Sequence, residues 1–271
     1  VKQKGIAEEK RKEAETELKK ATVVSEFVGG IFSAVKPGEL EDVSDEDKGL
    51  MKLVLNKGAE KIKDLEGQPE VEASIRNILG NAYLSLAFYD EALIHHERAL
   101  VLWIEVFGPN HRNVGITYGL IAQEYLEKGE YDHALEYNQK SLAVYLRQSR
   151  SNHTDVASSF LNIGSVYHSI GEYDLALEYH QKSLAIHLKQ LGSDHPYVAS
   201  NFSHIGIVYS DKGERDKALE YYQKALGIQR NQLGKDHPSV ADSYSNIGSV
   251  HRSKGEHDKA LKYMQKALDM R

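Results

Sequence analysis

The sequence has no cysteine among its 271 residues, and only 5 prolines, 3 methionines and 1 tryptophan. Without cysteine there is no disulfide framework, no thiolate metal site and no thiol nucleophile. A reducing compartment fits, and a cytoplasmic location is expected. The scarcity of proline, beside plentiful Ala, Leu, Glu and Lys, favours helix throughout. No apolar run approaches the roughly 20 residues of a membrane span. The charged opening stretch, residues 1–20, lacks the apolar region of a secretion signal. The first residue is not Met, so a longer parent protein is expected. Positive charge is not in excess either. With 34 basic against 40 acidic residues the net charge is −6, so nothing attracts nucleic-acid phosphates.

What is present is a period. Tyr83, Tyr125, Tyr167 and Tyr209 stand 42 residues apart, and His251 takes the fifth place. Ala92, Ala134, Ala176, Ala218 and Ala260 keep the same spacing, as do Leu93, Leu135, Leu177, Leu219 and Leu261. Gly129, Gly171, Gly213 and Gly255 follow it, with Ala87 in the first unit. A chain of this kind grows by stacking units rather than by enlarging one core. We expect a helical leader over 1–70 and five units, at about 71–112, 113–154, 155–196, 197–238 and 239–271.

The logic of a unit is visible in residues 158–196. Phe160, Ile163, Gly164, Tyr167 and Ile170 follow helical spacing and mark a first amphipathic helix. Gly171 stops it, because a helix often ends in a left-handed residue that glycine adopts readily. Tyr173, Ala176, Leu177, Tyr179, Leu184, Ile186 and Leu188 give a second helix, ended by Gly192. Ser193 or Asp194 is the expected cap of the next helix, and Pro196 suits its first turn. Gly164 and Ala176 let the two backbones cross closely. Gly80, Ala122, Gly206 and Gly248 are the equivalents of Gly164.

This pattern resembles the tetratricopeptide repeat, whose usual unit has about 34 residues. The longer unit here, with LGSDHPYVA (191–199) and LGKDHPSVA (233–241) between helix pairs, resembles the kinesin light chain subfamily of the repeat. The resemblance covers about residues 71–271. It implies an all-α fold, a right-handed superhelical solenoid of antiparallel helix pairs with a concave face lined by the first helices. The junctions at 107–115 and 149–157 lack the His-Pro pair. The last helix still has an apolar side, so further repeats or another domain are expected beyond it.

The leader reads as a charged helix over 1–22, then an apolar stretch at 23–35, a loop at 36–46 and a helix at 47–65 with Leu50, Leu53, Val54, Ala59, Ile62 and Leu65 on one side. The first helix either caps the array or forms a dimerising arm. The segment from Thr22 to Leu86 resembles the leader of repeat arrays attached to bacterial serine/threonine kinases. That implies a docking or regulatory arm.

Catalytic and metal motifs are missing: no nucleophile elbow, phosphate-binding glycine loop or dinucleotide fingerprint occurs. His111, His153, His195 and His237 keep the 42-residue spacing and are read as parts of the inter-unit turn, bonding helix-end groups. His95 and His96 are adjacent, so they lack the i, i+4 metal spacing. His133, His180, His187 and His257 are read as surface residues. Carboxylates at the start of second helices favour the positive end of the helix dipole. The triplets at Asn152 and Asn201 that match a glycosylation acceptor are read as chance. No enzyme activity, cofactor or metal is expected.

In the resembled family the groove is lined by first-helix positions around the small residue. Carried over, these include Asn77, Asn81, Gln123, Asn162, Ser165, His168, His204, Ser210, Asn246 and Arg252. The third unit adds Ser158, Leu161 and Ser169, the fourth Ser200, Ser203, Ile207 and Asp211, and the fifth Asp242, Ser245, Ser249 and Ser253. An Asn two before the small residue hydrogen-bonds a bound peptide in the family. Asn162 and Asn246 match it, and His204 stands between them. The alternative is that such Asn residues hold neighbouring helices together. The partner implied is a protein or peptide segment held in the groove, within a larger signalling protein. Self-association through the N-terminal helices, or docking on an attached catalytic domain, is the other reading.

Overall fold

A computed structural model describes residues 22, 25, 47–65, 67–148 and 154–270. The expected helix at 1–22, the apolar stretch 23–35, the loop 36–46 and His153 lie outside the described residues, apart from the isolated positions Thr22 and Ser25. The described residues are helical with short turns and fall into two compact bodies, one ending at Gly129 and one beginning at Glu130.

The first body holds α1 (Asp47–Glu60), a 3-10 turn (Lys61–Leu65), α2 (Pro69–Ser85), α3 (Tyr89–Phe107) and α4 (Arg112–Glu127). The helix expected over 47–65 therefore tightens in its last turn. Val54, Leu55, Ile62 and Leu65 bury against Val71, Ile75, Leu79 and Tyr83 of α2. The Tyr83 hydroxyl donates to Asn56 Oδ1 at 2.7 Å, and burial pushes its pKa up to about 12.

The second body holds α5 (Tyr131–Arg147), α6 (Thr154–Ile170), α7 (Tyr173–Leu191), α8 (Pro196–Asp211), α9 (Arg215–Gln232), α10 (Pro238–Ser253) and α11 (His257–Leu268). Three hairpins, α6–α7, α8–α9 and α10–α11, stack in chain order. Ala176 and Leu177 of one hairpin pack against Ile205 and Val208 of the next, and Ala218 and Tyr222 against Ile247 and Val250. The first helices α6, α8 and α10 also touch one another side by side.

The turns follow the sequence columns. Gly171 takes φ +89°, and Ala87, which fills the glycine place in the first hairpin, is forced to φ +63°. Between hairpins the cap is a histidine, not Ser193 or Asp194. His195 and His237 precede the Pro at the start of α8 and α10, and Nδ1 of each accepts from the backbone N–H two residues on, at 3.1 and 3.2 Å. His111 does the same for α4. An accepting Nδ1 places the ring proton on Nε2. The expected structural role of these three histidines is what the geometry shows.

His180 and His187 correct the sequence reading. Both are buried. His180 lies on the helix face opposed to Gly164, where a side chain on α6 would occupy its ring. His187 lies at the seam with the next hairpin, where Asn201 Nδ2 donates to its Nδ1 at 2.7 Å. Asn201 is itself fully buried, out of reach of any glycosylation enzyme. The adjacent pair His95 and His96 is buried too.

Candidate functional site

The expected groove residues are divided between the two bodies. In the first, Asn77 is half-buried. Its Nδ2 donates to Thr117 Oγ1 of α4 at 3.2 Å, so it ties two helices together. Asn81 and Gln123 are exposed. Beneath Asn77, the buried His96 ring joins two helices. Nε2 lies 3.2 Å from the Asn77 carbonyl, and Nδ1 lies 2.5 Å from Glu124 Oε1. A carbonyl only accepts, so Nε2 carries a proton. One further proton is then shared along the line between Nδ1 and Glu124. Burial pushes the Glu124 carboxyl up.

In the second body the structure brings most of the remaining residues to one surface, the adjoining faces of α6, α8 and α10. Asn162 is exposed, while Ser165 turns its hydroxyl back to the Leu161 carbonyl at 3.1 Å and so is occupied within its own helix. His168 Nε2 meets Asp211 Oδ2 at 2.7 Å, linking α6 to α8. His204 is half-buried, with its ring 5.4 Å from that of His180. Burial first, and then the His168 charge, lower the His204 pKa. Burial, then the charges of His204 and His168, lower His180 to about 3. Both rings are therefore neutral near pH 7. Ser210 is half-buried and Arg252 exposed.

Between α8, α9 and α10 this surface deepens into a hollow of about 250 Å³. Ser200 and Ser203 stand on one wall, Asp242 and Asn246 on the other, with Gln229 and Ser243 below. Four of these were expected from the sequence. Gln229, Leu233, Ser239 and Ser243 were not. The floor is satisfied, since Ser243 Oγ donates to Gln229 Oε1 at 2.6 Å. The walls are not. Ser200, Ser203 and Asn246 have no side-chain hydrogen bond to another described residue.

The hollow opens here because of side-chain size. One hairpin earlier, Leu161 occupies the place of Ser203, Tyr197 that of Ser239, Asn201 that of Ser243, and His204 that of Asn246. There Tyr197 lies on His187 with ring centroids 5.3 Å apart and covers the seam. Smaller residues in the same columns leave space unfilled. Comparing columns between units is the signal that would have found Ser239 and Ser243.

No group of three or more His, Cys, Asp or Glu side chains among the described residues is placed to hold a metal ion. No described helix is long and apolar enough to cross a membrane.

Stacked helix hairpins joined by glycine and histidine-capped turns define a helical-repeat protein. The tetratricopeptide repeat model matches residues 71–147, 155–231 and 198–271, and the chain belongs to that family. Its fold is similar to that of BtubC (BKLC) from P. vanneervenii, with a TM-score of 0.66 at 19% identity over 83% of this chain and 91% of that one. It is similar also to a Podosopora anserina protein, assigned to the kinesin light chains, with nearly identical TPR-like repeats (TM-score 0.59, 20% identity, 75% of this chain and 96% of that one). A third similar fold is the Rap conjugation gene regulator of plasmid pLS20 in complex with the Phr* peptide (TM-score 0.66, 14% identity, 93% and 74%). No curated protein matches the sequence.

Proposed function

We propose that the face made by α6, α8 and α10 binds a segment of a partner protein in extended form, and that the chain is an interaction scaffold without catalytic activity. The observation that carries this is the hollow at Asn246, Ser200 and Ser203, three side chains that have no hydrogen bond to another described residue. An extended segment carries unpaired backbone N–H and C=O groups. Asn, with two donors and an acceptor on one amide, suits both. The peptide held by the Rap regulator, a protein of similar fold, is consistent with this reading. A reducing compartment such as the cytoplasm and attachment to a signalling protein belong to the same proposal.

The test is capture from a displayed random-peptide library, beside the Asn162→Ala/His204→Ala/Asn246→Ala variant. Peptides held by the original and lost by a variant with the same melting curve are the expected result. No enrichment, or enrichment indifferent to the three substitutions, overturns the proposal and moves the face to self-association.

A further inference from the structure

We infer that the hollow between α8, α9 and α10 is a subsite for one carboxamide side chain, that of a glutamine or asparagine in the bound segment. The inference rests on the binding face proposed above and adds what that face selects.

Four observations carry it. The first is a donor at the floor. Gln229 is only 7% exposed, and its Oε1 accepts from Ser243 Oγ at 2.6 Å. Its Nε2 has no hydrogen bond to another described residue but is not sealed from solvent, and Gln229 lines the hollow. The second is the walls. The Ser200 and Ser203 hydroxyls and the Asn246 amide each donate and accept, and none is bonded to another described residue. A carboxamide guest offers an acceptor to Gln229 Nε2 and two donors to the walls. An apolar guest would leave these groups unmet. The third is charge. No lysine, arginine or histidine lines the space, so a carboxylate guest finds no counter-charge. Asp242 already has an interaction within the chain, so a basic guest finds no uncommitted carboxylate. The fourth is a precedent one seam earlier. There Asn201 stands in the Ser243 column and His187 in the Gln229 column. The chain's own carboxamide fills that seam, donating to His187 Nδ1 at 2.7 Å, and Tyr197 covers it. At the later seam Ser243 is shorter and Ser239 leaves the mouth open, and about 250 Å³ stands unfilled.

Two substitutions separate this from a merely structural role, and both copy residues that the chain carries at the earlier seam. Ser243→Asn supplies the internal carboxamide of Asn201 and fills the space a guest would take. Ser239→Tyr closes the mouth as Tyr197 does. The library selection is repeated on the original chain, and a synthetic peptide of the most enriched sequence is titrated against all three proteins, each checked for an unchanged melting curve. The expected result is a glutamine or asparagine at one fixed place in the selected peptides. Affinity falls about tenfold with either substitution, and as much when the peptide's carboxamide residue is replaced by its carboxylate counterpart or by methionine. The peptide replacements report on the guest even where one variant fails to fold. Peptides that depend on Asn162 and His204 but show no fixed carboxamide overturn the subsite and leave the binding face standing. A fixed carboxamide in a peptide whose affinity ignores both substitutions also overturns it. Absence of any selected peptide overturns both.

Discussion

Gly164 and His180 are fitted to each other: a Cβ on Gly164 would stand 2.6 Å from His180 Nδ1 and 2.7 Å from Cε1. The imidazole lies flat against the bare backbone of α6, and that is what lets α6 and α7 cross closely. The same relation recurs between Gly206 and Tyr222, at 2.8 Å, and in a looser form between Gly248 and Met264, at 3.0 Å. Gly164→Ala is expected to destabilise the chain by about 1–3 kcal/mol. Gly164→Ala with His180→Asn, the residues that Ala122 and Asn138 supply in the second unit, is expected to recover most of the loss. Urea unfolding of the two single variants and the double one measures the coupling. Additive losses would mean that the contact does not limit the crossing.

Acid should weaken the array. Burial lowers His95 to about 4 and His180 to about 3, against about 6.5 in an unfolded chain. Between these values the unfolded chain binds protons that the folded one refuses, so stability rises with pH across that window. It is complete above about pH 6.5 and is lost as pH falls toward 4, with a slope of about 1.4 kcal/mol per pH unit for each histidine. Urea midpoints measured from about pH 7 down to about pH 5 should fall, and His180→Asn should flatten the curve. An unchanged slope in that variant would remove His180 from the account.

The His96–Glu124 pair predicts an asymmetry. Glu124→Val, using the residue found at Val166, Val208 and Val250 in later units, leaves the buried His96 Nδ1 unmet. The expected cost is about 3–5 kcal/mol, as for removing one member of a buried pair. His96→Met with Glu124→Val, which copies the fifth unit's Met264 and Val250, should lie within about 1–2 kcal/mol of the original. Equal losses in the single and double variants, read by urea unfolding, would show that the pair is not the source.

How much of this was legible follows from periodicity. Side chains that recur every 42 residues, such as the Tyr83 and Ala92 columns, gave the helix pairs, their crossings and the glycine turns, because a strict period leaves one register. The burial of His180 was not legible, since a polar residue next to a glycine on another helix looks exposed until the two are brought together. The Ser239 hollow was harder still. It is made by what four separate columns lack, and its depth depends on packing across two hairpins. The bond from Asn77 to Thr117 was not legible either, because it joins residues 40 apart in the chain, on two different helices.

An exposed ladder crosses successive hairpins. Lys128 pairs with Asp90 in the first body, and Lys212 with Asp174 and Lys254 with Asp216 in the second. Ile170 occupies the place where a lysine would meet Asp132. Ile170→Lys should raise the melting midpoint slightly in low salt, with the gain gone in about 1 M salt. A gain that survives the salt would come from something other than the ion pair.

The seams between hairpins each carry their own polar fit, Asn201 against His187 and Ser243 against Gln229. Tandem repeats in a gene readily lose or duplicate whole units by misaligned recombination. Here the loss of residues 197–238 would bring His187 opposite Ser243, whose short side chain reaches less far than the amide of Asn201. A buried ring nitrogen left unmet costs about 1–3 kcal/mol. The units are thus alike enough to stack and different enough not to be interchangeable. A chain shortened by one unit would need matching changes in the residues on either side of the new join to recover that polar fit.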